Sequence, residues 1–239
     1  MQIRPSGNVP NEKSLQRIRN LILRVVEAET DNFSELAQMA GLNPLKDFAG
    51  GNLSGVDLSG ADLSGAILSG TMLLAANLSC ADLSGANLSR ANLNNADLSN
   101  ANLISANLIC ADTININLSG ANLVGASLNT CNLLCATLND AKLIGVDLRR
   151  ANLMDAKLCC VNLSDANLSH ASLRRANLSN AILIGVNMQG VDLSSADLRG
   201  ANLSDTDLSS AKVQKARFGE NEGLPESIKR DLRRRGAIC

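Results

Sequence analysis

Residues 61–65 read Ala61-Asp62-Leu63-Ser64-Gly65, and the chain repeats that five-residue unit for most of its length. Of the 33 positions numbered 53, 58, 63 and onward to 213, 30 are leucine, the exceptions being Thr113, Met188 and Val213. The residue two before each is small, alanine at 23 of the 33. A fixed internal period decides architecture before any single residue is weighed. It also bounds function, because a regular repeat is a scaffold whose repeating part is rarely a reaction centre.

Five matches neither common secondary-structure period. A helix lines one face with apolar residues three and four apart, and a strand does so with every second residue. Ser and Gly in unit after unit also oppose a long helix. The pattern fits a chain that turns a corner every five residues. Four corners close a square coil of 20 residues, and coil stacks on coil about 4.8 Å apart by backbone hydrogen bonds of the parallel-sheet kind. The expectation is therefore an all-β solenoid of about eight coils, a rod roughly 40 Å long. Leu and the small residue two before it point inward; the other three positions point out. One large and one small residue per side fill so narrow an interior at close packing. Rings would crowd it, and the chain has no Trp, no Tyr and only Phe33, Phe48 and Phe218. Phe48 and Phe218 continue the register just outside the leucine run and are expected as plugs over the two open ends.

The 33 uninterrupted units resemble the pentapeptide-repeat family over residues 46–220. That resemblance implies a right-handed quadrilateral parallel β-helix with β-turns at its corners. The frequent Gly in the last position, as at Gly55, Gly60, Gly65, Gly120 and Gly200, suits turns that need positive φ. The segment Asn32–Gly51 is similar to the one that leads into the repeats in many cyanobacterial members. One unit departs from the pattern: Ala111-Asp112-Thr113-Ile114-Asn115 followed by Ile116. A hydroxyl stands where Leu should be and a large residue where Ala should be. Volume compensation, with the hydroxyl bonded to nearby backbone, accounts for the pair; a kink used for recognition is the alternative.

The ends fall outside the repeat. Pro5, Gly7 and Pro10 make residues 1–10 a disordered tail. In 11–45, Leu15, Ile18, Ile22 and Val25 share one helical face. A second short helix starts near Asn32, which with Glu35 has capping-box spacing, and stops at Gly41 before Pro44. This pair is expected either to cap the apolar end of the solenoid or to bind a partner. In 221–239, Pro225–Leu232 reads as a short helix anchored by Ile228 and Leu232, closing the other end. Arg233, Arg234 and Arg235 follow as cations at its C-terminus.

Charge is nearly balanced, at −1 over 239 residues. The block 51–215 carries 13 Asp against 10 Lys plus Arg, and the tail 216–239 six basic against four acidic. A nucleic-acid binder should be distinctly basic. A DNA mimic should carry carboxylate stripes. The outward column Asp57, Asn77, Asp97, Asn117, Thr137, Lys157, Asn177, Asp197 is instead mostly amide with a lysine in it. No signal peptide opens the chain, and no stretch approaches the roughly 20 apolar residues that span a membrane. A cytoplasmic protein without membrane contact is expected. The seven cysteines include no two that are 20 residues apart, the spacing that would stack them within disulfide reach. They are expected as reduced thiols, and no Cys/His set has zinc spacing.

No catalytic set, cofactor site or metal site is expected. His170 is the only histidine and stands at an outward corner. The glycines recur at five rather than in a phosphate-binding loop pattern. The informative outward positions are those that break the Ser/Gly habit. Leu74, Ile114, Leu134 and Met154 form one apolar column, and Ile104, Val124, Ile144 and Ile184 a second on the opposite face. Apolar rows on a solvated rod mark a candidate protein interface, against the alternative of partial burial by neighbouring corners. Arg149, Arg150, His170, Arg174 and Arg175 form a candidate basic patch, against the alternative of a solvated face, with Asp155 placed to pair with Arg175. The sequence thus points to a non-enzymatic scaffold that presents flat faces to a protein partner or to its own copies. The rival is a DNA-mimic inhibitor of a topoisomerase, as some members of the family are.

Overall fold

The structure is a computed structural model that describes residues 41, 43 and 46–239. Two compact units divide between Pro44 and Leu45; the second is the solenoid. The tail expected at 1–10 and the helices expected within 11–45 lie outside the described residues. Gly41, expected to end the second of those helices, has a left-handed backbone with φ of 74°.

The unit is built by four backbone hydrogen bonds. Around Leu83, Asp82 N donates to Ala61 O in the coil below at 2.9 Å, and Leu83 N to Asn102 O in the coil above at 2.7 Å. Gly85 N donates to Ile104 O above at 2.8 Å. Ala86 N closes the corner onto Leu83 O at 3.0 Å. Each side is so short that only its second residue pairs. The pairs are isolated parallel bridges linking residue i with i+20, from Asn52 with Met72 to Asn202 with Glu222. Twenty residues therefore make one coil with four faces. Their central residues run 53–213 (first face), 58–218 (second), 63–203 (third) and 48–208 (fourth).

Every corner from Gly50 to Glu220 except the one at Ser210 ends in a left-handed residue, as a turn with positive φ at its third place requires. Glycine takes this at Gly65 with φ of 65°, but so do Ala75 (53°), Arg90 (58°), Thr130 (58°) and Cys160 (59°). The stacking bonds of the coils above and below hold these non-glycine residues in a conformation that isolated chains avoid. The Asn or Asp of each unit supports the same corner. Asp82 Oδ1 accepts from Ser84 N at 2.9 Å, a local side-chain turn, and from Asn102 Nδ2 of the next coil at 3.1 Å.

The interior is a continuous column of Leu, each with a buried residue two before it that is most often Ala, nearly all without solvent contact. Thr113 and Ile116 are both fully buried. The Thr113 hydroxyl donates to Asn132 O at 2.9 Å, the backbone bond that the compensation reading expects. Phe48 and Phe218 are buried at the first and last registers of the coil. Past Phe218 the chain folds back over the last coil. Phe218 N donates to Ile238 O at 2.7 Å and Ile238 N to Ala216 O at 2.8 Å, so the final residues add one more side. Between them, α1 (Glu226–Arg234) buries Leu232. Ile228 was expected as a second anchor and is instead solvent-exposed; Leu224, just before α1, is buried in its place. Leu232 is the one residue of α1 that is buried, although Ile228 lies one turn before it on the same side of the helix.

Candidate interaction faces

Outward residues come only from the second, fourth and fifth positions of each unit, so each face offers two straight rows. On the third face the fourth-position row holds Ile104, Val124, Ile144 and Ile184. The second-position row adds Ile182, beside Ile184 on the same side of the same coil. Ile104, Ile144, Ile182 and Ile184 are each 36–38% exposed, and Val124 is half-buried. On the first face Leu74 is exposed and has Met72 beside it, also exposed, whereas Ile114, Leu134 and Met154 are half-buried. Asn94 explains part of this. Its Oδ1 reaches up to accept from Ile114 N at 2.8 Å, laying an amide against the row. The row ends at Arg174. Sequence reading missed Met72, Ile182 and the exposed Ile67 of the fourth face because it judged apolar residues only after the leucine, not before it. Their signal was an apolar residue in the column that otherwise holds Asn or Asp.

The five residues of the basic patch do not form one site. Arg149, Arg150 and His170 line a shallow depression of about 410 Å³ with Asn129, Thr130 and Ser169. Arg174 and Arg175 lie at the next corner. Two of the four guanidinium groups are engaged. Arg149 holds Asp147 through Nε at 2.8 Å and Nη2 at 2.7 Å, and Arg175 holds Asp155 of the coil below at 2.7 and 2.6 Å. The Arg149 hydrogen bonds are the main cause that takes the Asp147 carboxyl from 3.8 to about 2. The Arg175 hydrogen bond likewise lowers Asp155. Asp197 is held by Arg199 at 2.6 Å, with Arg217 at 3.5 Å. At Asp147, Asp155 and Asp197, carboxylate and guanidinium groups therefore neutralise one another.

Chemistry-bearing groups are few. Among the described residues, no cluster of three or more His, Cys, Asp or Glu is placed to hold a metal. All seven cysteines are free thiols. Cys131 replaces an inward Ala, and burial pushes its thiol up to about 12 while Sγ donates to Leu108 O at 2.7 Å. Thr71 and Thr206 occupy the same inward place and make the same bond, to Phe48 O and Leu183 O. A polar atom is tolerated there because a turn carbonyl, 23 residues earlier in the chain, faces it from the coil below.

The far end shows residues that sequence reading did not assign. Asn221 Nδ2 donates to Leu198 O at 2.6 Å and Ala201 O at 2.9 Å. Arg235 Nη2 donates to Leu208 O at 2.8 Å and also to Ala211 O. Leu208 and Ala211 lie in the last turn of their side, whereas Leu198 and Ala201 lie below the closing segment that runs through Arg217 and Glu222. Arg233, Arg234 and Arg235 are therefore not merely cations at a helix end. Arg233 pairs with Glu226 at 2.9 Å, while Arg234 and Arg235 grip Asp231 at 2.6 and 2.9 Å. Asp231 in turn aims Arg235 at the coil.

Comparison with known proteins follows this geometry. A family model for pentapeptide repeats matches in eight copies spanning residues 47–220. Curated proteins give no match. The crystal structure of HetL, a pentapeptide repeat protein involved in heterocyst differentiation regulation from the cyanobacterium Nostoc sp. strain PCC 7120, is similar at 34% identity and a TM-score of 0.53. The similarity covers 84% of this chain and 91% of that one. Full-length QnrB1, a plasmid-mediated fluoroquinolone resistance protein, matches at 19% identity and a TM-score of 0.44, over 80% of this chain and 94% of its own. The family match spans the unbroken five-residue period and the 20-residue coils that the period builds, and on that ground this chain belongs to the pentapeptide-repeat family.

Proposed function

We propose that this protein is a non-enzymatic scaffold, a right-handed quadrilateral β-helix capped at its C-terminal end by α1, that docks a protein partner on its third face. The observation that carries the reading is the set of exposed isoleucines Ile104, Ile144, Ile182 and Ile184 on one flat side. Packing does not require them, since the same positions hold Ser64, Ser84, Asn162 and Ser164 in other coils. Ordered apolar side chains left in water gain about 25 cal/mol for each Å² that a partner covers. A reducing cytoplasmic setting agrees with seven free thiols.

HetL supports a regulatory rather than a catalytic role, since regulation is what its structure is described for. The 34% identity does not transfer its partner. Two positions in five are fixed by interior packing, so the period alone supplies identity of that size, and a partner reads the other three. The rival reading, a DNA-mimic inhibitor of a topoisomerase, is disfavoured by the mutual neutralisation of Asp147, Asp155 and Asp197 with arginines.

The test is Ile104→Asp with Ile144→Asp. Both side chains point outward, so the melting curve should move little. Association with the partner, or with a second copy in sedimentation, should be lost. Association at wild-type strength would refute the docking face. Gyrase supercoiling blocked by equimolar protein would favour the rival.

A further inference from the structure

Cys159 and Cys160 are the fourth and fifth residues of one unit, at the corner between the second and third faces. Their sulfurs lie 3.4 Å apart. Cys160 is exposed and Cys159 half-buried, and both are free thiols. The corner holds them from two sides. Ser179 Oγ of the coil above donates to Cys159 Sγ at 3.6 Å, and Asn139 Oδ1 of the coil below accepts from Cys159 N at 3.0 Å. Cys160 N is fixed to Ser179 O at 3.1 Å. Lys157, in the place where other units carry Asn or Asp, has no acceptor for the corner, so Asn139 supplies it.

Three uses of such a pair can be weighed. A disulfide joins Cα atoms usually about 4.4–6.8 Å apart. Neighbours across a trans peptide stand about 3.8 Å apart, so closing the ring would distort a corner pinned by the next coil. A reactive thiolate is also disfavoured, because the hydrogen bond with Cys159, and then burial, raise the Cys160 thiol. Tetrahedral zinc, with Zn–S near 2.3 Å, would hold two sulfurs about 3.8 Å apart and needs further ligands. Among the described residues no third His, Cys, Asp or Glu completes such a set. What remains is a soft, three-coordinate, pyramidal centre. It takes two sulfurs with a narrower bite than a tetrahedral ion and points its third substituent away. We propose that Cys159 and Cys160 form a bidentate dithiol site for a trivalent arsenical. Two As–S bonds form and the arsenic–oxygen bonds of the arsenoxide break. The oxygen leaves as water with both thiol protons, and arsenic stays trivalent, so no oxidant or reductant takes part. The corner leaves the third substituent in solvent.

The other thiols cannot chelate in this way. Cys80, Cys110 and Cys135 sit singly on corners, Cys239 is exposed with no second thiol in contact, and Cys131 is buried. The column itself supplies fold-preserving substitutions. Cys159→Ser places the residue found at Ser119 and Ser179, and Cys160→Asn the one found at Asn100 and Asn180. The experiment is intact-mass measurement of the full chain after phenylarsine oxide, with a large excess of glutathione to strip single-thiol adducts. The wild type should carry one adduct whose mass is that of the reagent less one water, removable by a small dithiol. Cys159→Ser and Cys160→Asn should each lose it completely at an unchanged circular dichroism spectrum, while Cys80→Asn keeps it. Survival of the adduct in either corner variant, or a wild type without one, overturns the proposal.

Discussion

The hydroxyl of Thr113 donates to the carbonyl of Asn132, one coil away, at 2.9 Å. The neighbouring stacking bonds are long: Thr113 N to Asn132 O is 3.1 Å and Asn132 N to Ala111 O 3.3 Å, against 2.7 and 2.9 Å for their counterparts at Leu83 and Asn102. The coils stand slightly apart there, and Ile116 occupies space that Ala fills elsewhere. Thr113→Leu should therefore overpack and cost about 1–3 kcal/mol. Adding Ile116→Ala should recover most of that loss, giving a coupling of about 1 kcal/mol or more in a double-mutant cycle by urea unfolding. Strict additivity would show that the two residues do not compensate each other.

Arg235 is expected to hold the end of the rod. Its guanidinium serves the Leu208 and Ala211 carbonyls while Asp231 fixes its direction. Arg235→Ala leaves those carbonyls without this partner, and hydrogen bonds to a charged donor are worth about 1.5–3 kcal/mol. Thermal unfolding should shift down by an amount of that order, and Arg235→Lys should recover only part because a point charge lacks the planar fork. An unchanged melting temperature would dismiss the end-holding role.

The Asp147–Arg149 pair makes a pH prediction of definite sign. The folded carboxyl lies at about 2 against an ordinary 3.8. A lowered folded value stabilises the fold at pH above the ordinary value, and that contribution disappears as pH falls from about 4 through about 2. Carboxyl-carbon NMR should find the Asp147 midpoint near 2, and Arg149→Ala should raise it towards 3.8. A midpoint that does not respond to the substitution would remove Arg149 as the cause.

Cys131 and Cys80 should separate cleanly in alkylation. Burial holds Cys131 at about 12, whereas Cys80 is exposed. Iodoacetamide at pH 8 followed by peptide mapping should label Cys80 and leave Cys131 protected until denaturant is added. Cys131→Ala restores the usual inward residue and should change stability by less than about 1 kcal/mol, since Leu108 O keeps its bond from Ala111 N at 2.9 Å.

Much of the fold was legible because the period fixes which residues point inward. Once Leu63 and Leu83 are one coil apart, Asp62 must lie under Asp82, and rows such as Ile104, Val124, Ile144 follow. Exposure within a row was not legible. It depends on what the neighbouring coil lays beside each residue, as Asn94 does beside Ile114 and Ser164 does not beside Ile184. The end was less legible still. That Arg235 rather than Ile228 engages the last coil depends on how α1 folds back, and no period governs residues after Phe218. The corners show a related limit. Glycine announces positive φ at Gly65, but Thr130 adopts it only because stacked coils impose it.

The most direct test of the central claim is a quantitative pull-down from the native cell extract with three versions of the full chain. They are the wild type, the third-face variant Ile104→Asp with Ile144→Asp, and a second-face control, Ser79→Asp with Ser99→Asp. The docking account predicts that the wild type and the control retain the same partner and that the third-face variant loses it at least tenfold. Equal recovery on the third-face variant, or loss on the control alone, would contradict it.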